Sequence, residues 1–102
     1  MSDEHVTRGL HPRPVDAAAV RRDWSKRGYS CTAITDPPGQ AWTGFVHDTN
    51  EVLTVAAGRL RVEMAGATLE LDPGDELYIP RRVPHSVYNA DRGDTHWLYG
   101  YD

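Results

Sequence analysis

Beyond residue 28, apolar and polar positions alternate with a period of two, which is the pattern of half-buried strands. Leu60, Val62 and Met64 alternate with Arg59, Arg61 and Glu63, and Leu69 and Leu71 alternate with Thr68 and Glu70. Ala65-Gly66 joins the two runs, which predicts a hairpin with one apolar and one solvated face. A strand over 51–57 puts Glu51, Leu53 and Val55 in one phase. A strand over 85–89 does the same for His85, Val87 and Asn89. Further strands are predicted over 29–35, 41–47, 76–79 and 95–101, the last with Trp97, Tyr99 and Tyr101 on one face. Proline and glycine set the breaks at Asp36-Pro37-Pro38-Gly39, at Gly58, at Asp72-Pro73-Gly74-Asp75, at Pro80 and at Val83-Pro84. Eight or so short strands at regular spacing imply an all-β fold, either a closed barrel or a two-sheet sandwich.

The first 28 residues follow another pattern. Residues 1–14 are polar and carry Pro12 and Pro14, which predicts a loose arm ordered only by docking. Residues 15–27 read as a helix, with Asp16 able to cap it, Ala17-Ala18-Ala19 favouring it and Gly28 ending it. Val20 and Trp24 are four apart, so they share the face that should pack on the rest. The chain thus divides into an arm and helix over 1–28 and a β-barrel over 29–102.

Composition narrows the possible functions. A chain of 102 residues suits one domain with a limited core, for which dimerisation would add buried area. The net charge of -4 argues against nucleic acid as a partner, because phosphate binding needs a basic surface. Basic residues are local, at Arg21, Arg22, Lys26 and Arg27 and again at Arg59, Arg61, Arg81 and Arg82, which leaves room for a small anionic ligand. The single cysteine, Cys31, allows no internal disulfide and reads as a buried structural cysteine rather than a thiolate ligand or nucleophile. No apolar run approaches the roughly 18 residues of a membrane span, and the first residues lack a signal-peptide pattern, so a cytoplasmic protein without a membrane partner is expected.

The chemistry centres on His47, Glu51 and His85. A barrel interior that receives Leu53 and Val55 also receives Glu51, and a carboxylate there is costly unless it is paired or coordinates a cation. His85 points the same way with Val87. Two imidazoles and a carboxylate suit a divalent metal ion such as Zn, Fe, Ni, Mn or Cu, and three protein ligands leave positions open. His96, in the last strand, is either a fourth ligand or a core-edge histidine, the second being the simpler reading. His5 and His11 lie in the arm and read as solvated.

The spacing around these residues resembles two motifs of the cupin family. The first runs glycine, five residues, His-X-His, three or four residues, glutamate, six residues, glycine. Gly39, Phe45, His47, Glu51 and Gly58 fall on that frame. The second runs glycine, five residues, Pro-X-Gly, two residues, histidine, three residues, asparagine. Gly74, Pro80, Arg82, His85 and Asn89 fall on it. The resemblance implies a jelly roll (a double-stranded β-helix) with a metal inside, and His47, Glu51 and His85 match ligand positions. Two positions depart from it. Phe45 stands where a histidine ligand is usual, and Arg82 replaces a glycine, which should alter a turn and bring a cation to the barrel mouth.

The resemblance leaves open an enzyme of dioxygenase, isomerase or lyase type, or a module that binds or senses a small molecule without turning it over. A third reading is a dimerisation unit that the metal only stiffens. A small-molecule ligand or substrate and a homodimer are the expected partners. Its pocket would be lined by Trp42, Phe45, Tyr78, Asn89, His96, Trp97 and Tyr99, with Tyr101 beside them; a core or dimer contact is the competing role for these aromatic residues.

Overall fold

The structure is a computed structural model and describes residues 5–102; the first four residues of the predicted arm lie outside the described part. Nine strands and one helix follow in the order β1 Val6–Thr7, α1 Ala17–Lys26, β2 Thr32–Asp36, β3 Ala41–Phe45, β4 Glu51–Ala57, β5 Leu60–Met64, β6 Ala67–Leu71, β7 Glu76–Ile79, β8 His85–Asn89 and β9 Thr95–Tyr101. The strands form a five-stranded sheet, β1-β7-β4-β9-β2, facing a four-stranded sheet, β3-β8-β5-β6. Every named strand pairing is antiparallel. The crossovers between non-consecutive neighbours give the jelly roll that the strand spacing and the motifs imply.

The period-two pattern decides what lies between the sheets. Leu53 and Val55 from β4, Leu60 and Val62 from β5, Leu71 from β6, Leu77 and Ile79 from β7 and Trp97 from β9 meet there with almost no exposure. Val52 and Thr54 of β4 and Leu98 of β9, in the opposite phase, are also buried, because the helix covers that part of the outer face of the larger sheet. Val20 and Trp24 from α1 pack there on Val52 and Leu98. Trp24 is fully buried, and burying a side chain of that size contributes about 3 kcal/mol. Asp16 caps the helix by accepting from the Ala18 amide at 3.0 Å. Gly58 turns the chain between β4 and β5 at φ +102°, where a Cβ would collide with Thr95.

The described part of the arm is docked, not loose. β1 adds a strand to the edge of the larger sheet through Val6↔Leu77 and Thr7↔Glu76. The Gly9 amide donates to Asp75 Oδ1 at 2.9 Å and Arg8 NH1 to Asp75 Oδ2 at 3.0 Å. His11, expected to be solvated, is buried, and its Nε2 donates to Glu76 Oε1 at 2.9 Å. The same oxygen accepts from Trp24 Nε1 at 2.7 Å and from Arg27 at 2.7 Å. Glu76 therefore joins the arm, the helix and β7 at one carboxylate. Its partners are tens of residues away in sequence, so the local pattern around His11 carried no sign of it.

Candidate metal centre

His47, Glu51 and His85 come from different parts of the fold. Glu51 opens β4 and points inward in phase with Leu53. His85 opens β8, right after the Val83-Pro84 bend. His47 lies just past the end of β3, in the link to β4. Backbone hydrogen bonds fasten that link to the bend. The Arg82 amide donates to the His47 carbonyl at 2.7 Å, and the Arg81 amide donates to Asn50 Oδ1 at 2.8 Å. Asn50 is held in turn by Asp102 Oδ2 at 2.8 Å.

Arg82 adopts φ +65°, the left-handed conformation a glycine would take freely. The turn is thus kept, not altered, at the cost of local strain. Its guanidinium points away from the barrel interior and pairs at 3.8 Å with the exposed Asp48. None of the described cavity-lining residues is an arginine or lysine, so the expected cation at the barrel mouth does not reach the pocket.

The three side chains converge. Glu51 Oε1 is 3.5 Å from His47 Nε2 and 3.3 Å from His85 Nε2, and one ligand atom from each residue lies within 4.8 Å of the others. His85 Nδ1 donates to the Val83 carbonyl at 3.0 Å, which directs its Nε2 lone pair toward Glu51. Neither imidazole is aligned to hydrogen-bond Glu51 Oε1. Among the described residues this is the buried side-chain oxygen with no hydrogen-bond partner. A buried carboxylate oxygen that lies at ion-pair distance from two imidazoles but gains no hydrogen bond is the donor set a divalent ion satisfies. Burial pushes the His85 pKa down, but the Glu51 carboxylate and the Val83 carbonyl outweigh it, so the net shift is upward.

A second cluster, His11, Asp23 and Glu76, has similar spacing. It differs where it matters, because Glu76 Oε1 already accepts from His11, Trp24 and Arg27. An arginine stands where an ion would sit.

Beside the first cluster opens a cavity of about 170 Å³. Its walls are Ile34, Trp42, Phe45, Val87, Trp97, Tyr99 and Tyr101, with His47, Glu51 and His85 among them. Trp42 and Phe45 are three apart and would face opposite ways in a regular strand. A bulge between them at Gly44, φ +72°, turns both inward, pairing Trp42 with Val87 and Phe45 with His85. The Phe45 ring then stacks on His47 at 5.9 Å and lies 6.4 Å from His85, against the candidate ligands. Burial pushes the Tyr101 pKa up to about 12, with Glu51 and Tyr99 adding to it, so its phenol stays protonated.

Three residues expected in the pocket lie elsewhere. Tyr78 faces outward from β7 and packs on His5 at 6.2 Å. His96 is on the outer face of β9, where its Nδ1 meets Thr35 Oγ1 at 2.8 Å; it is out of phase with Trp97 and is no fourth ligand. Asn89 is inward but spends its side chain on loops, donating to the Pro37 carbonyl at 2.9 Å and accepting from Thr95 at 2.7 Å. Two pocket residues escaped the sequence reading, Ile34 on the wall and Asp36 behind it. They share a phase in β2, and a carboxylate in phase with an inward isoleucine was the available signal.

The cupin domain profile matches residues 33–101. The chain belongs to the cupin family. No curated protein sequence matches it. Among solved structures, a cupin 2 domain-containing protein from Halorhodospira halophila aligns with TM-score 0.68 at 21% identity, over 72% of this chain and 51% of that one. The cupin domain of Cnp3 from Schizosaccharomyces pombe aligns with TM-score 0.67 at 15% identity, over 72% and 51%. Salicylate 1,2-dioxygenase from Pseudoaminobacter salicylatoxidans aligns with TM-score 0.65 at 23% identity, over 72% and 20%. At these identities the likeness is one of fold. The chain spans about half of the first two proteins and a fifth of the third.

Proposed function

We propose that this protein binds one divalent metal ion through His47, Glu51 and His85 and admits a small molecule to the cavity beside it. The observation that carries the reading is Glu51 Oε1, buried, without a hydrogen-bond partner, and 3.3 Å and 3.5 Å from the two imidazole nitrogens. Zn, Fe, Ni, Mn and Cu all accept such a donor set. A bound ion would supply Lewis-acid chemistry, polarising an oxygen of the small molecule. The chain's own residues set the conditions. The Val83 carbonyl orients His85, the aromatic walls give the cavity an apolar lining, and Tyr101 keeps its proton.

A binding or sensing role without turnover is the second reading. Beyond the three candidate ligands the described cavity wall carries only apolar side chains, indoles and phenols, with no further carboxylate or imidazole to act as a base. We also infer a homodimer. Val46 and Phe45 are partly exposed at the end of edge strand β3, and a domain this small gains from further burial; a clean monomer in sedimentation would refute this.

Metal analysis of protein purified without a histidine tag tests the main reading. One equivalent of divalent ion should be present or taken up on incubation, and His85→Ala should abolish uptake. Unchanged uptake by that variant would move the site elsewhere.

A further inference from the structure

Five aromatic side chains and His47 run around the cavity as a chain of ring contacts. Trp42 meets Phe45 at 6.3 Å, Phe45 meets His47 at 5.9 Å and His47 meets Tyr101 at 5.0 Å. Tyr101 meets Tyr99 at 5.7 Å, and Tyr99 meets Trp97 at 5.4 Å. The two ends of this chain, Trp42 and Trp97, belong to different sheets. They are joined by one atom. Asp36 Oδ2 accepts from Trp42 Nε1 at 3.0 Å and from Trp97 Nε1 at 2.9 Å. Asp36 is 2% exposed and stands at the end of β2.

We propose that Asp36 is the positioning residue of the cavity, the clasp that closes this collar, and that the collar takes a single-ring aromatic compound, uncharged except for any oxygen directed at the metal. The proposal rests on the reading of the barrel as a small-molecule site. A buried carboxylate holding two indole N–H groups fixes both ring planes and removes both donors from the cavity surface. What remains on the described collar is ring faces and edges, with the Tyr99 and Tyr101 phenols as its polar groups apart from His47. Aromatic walls favour offset or edge-on contact with another ring.

Size and charge narrow the occupant. An apolar cavity of about 150 Å³ holds a benzene molecule. The volume here is about 170 Å³, enough for one ring with a small substituent. No described lining residue is Arg or Lys, so nothing on the wall would neutralise an anionic body. Because Glu51 and the two histidines lie at one side of the collar, a ring held in it would present its substituent to them.

Phenol titration, followed by tryptophan fluorescence in zinc-loaded and zinc-free protein, tests this. Phenol should bind saturably in both forms, because the rings hold it. Cyclohexanol, with the same heavy atoms but a puckered, saturated ring, should bind several-fold more weakly. Asp36→Ala should weaken phenol by about tenfold, while Asp36→Asn, which keeps an acceptor oxygen, should stay near wild type, and zinc uptake should be unchanged in both. Wild-type phenol affinity in Asp36→Ala would overturn the clasp, and cyclohexanol binding as tightly as phenol would overturn the ligand class. Should Asp36→Ala fail to fold, Trp42→Phe serves. It keeps a ring and removes one N–H, so it should bind phenol several-fold more weakly, and undiminished affinity would overturn the clasp. Loss of zinc uptake by the wild type, with phenol binding intact, would count against the metal reading and leave the collar standing.

Discussion

Glu51 and Phe45 mark the two ends of what single residues disclosed. Glu51 was legible because its phase is shared with Leu53 and Val55, so an inward carboxylate followed from period two alone. Phe45 was legible as a missing histidine, but not as an inward ring beside Trp42, because the bulge at Gly44 has no sequence mark except the glycine itself. Its position against both imidazoles makes a prediction. Phe45→His should tighten metal affinity by at least about tenfold, the scale on which even outer-shell changes act. Titration with Zn²⁺ reads the change, and equal or weaker affinity would contradict it. Arg82 makes another. Its φ of +65° costs about 1 kcal/mol in a residue with a Cβ. Arg82→Gly should therefore raise stability by up to about 1 kcal/mol in chemical denaturation and leave metal uptake intact, because the amide that holds the His47 carbonyl is retained. A destabilised variant would show that the Arg82 side chain matters more than its backbone.

At the scale of elements, β5, β6 and β8 follow the alternation, β4 and β9 bury residues of both phases because the helix covers one face, and α1 follows its cap and its Val20–Trp24 face. The arm does not. Nothing local in its polar sequence foretells β1 or the burial of His11, since both depend on β7. The Glu76 carboxylate where arm, helix and sheet meet gives a testable pH dependence. Burial alone would raise its pKa from 4.5, but hydrogen bonds from His11, Arg27 and Trp24 hold it down at about 2. The unfolded chain therefore binds this proton more readily than the folded one. The resulting stability, about 3 kcal/mol, is fully present above pH 4.5 and is lost as pH falls toward 2. Glu76→Gln should lower stability at neutral pH and make the decline over that window shallower. An equally steep acid limb in the variant would contradict the assignment.

For the whole molecule, the two-sheet jelly roll explains why two clusters of similar composition have different fates. Around Glu76, outside the barrel interior, the arm and helix bring their own donors and complete every bond to Oε1. Around Glu51, inside it, the fold brings two imidazoles and no such donor. The motif spacing announced that second arrangement. The aromatic collar and its Asp36 clasp were beyond reach of spacing, since they join strands from both sheets. Diffraction from crystals soaked in Co²⁺, with anomalous data at the cobalt edge, shows whether His47, Glu51 and His85 hold a metal. A metal held at this centre gives one strong peak about 2.0–2.2 Å from His47 Nε2, Glu51 Oε1 and His85 Nε2. No peak there, or a peak at His11 and Glu76 instead, would contradict that reading.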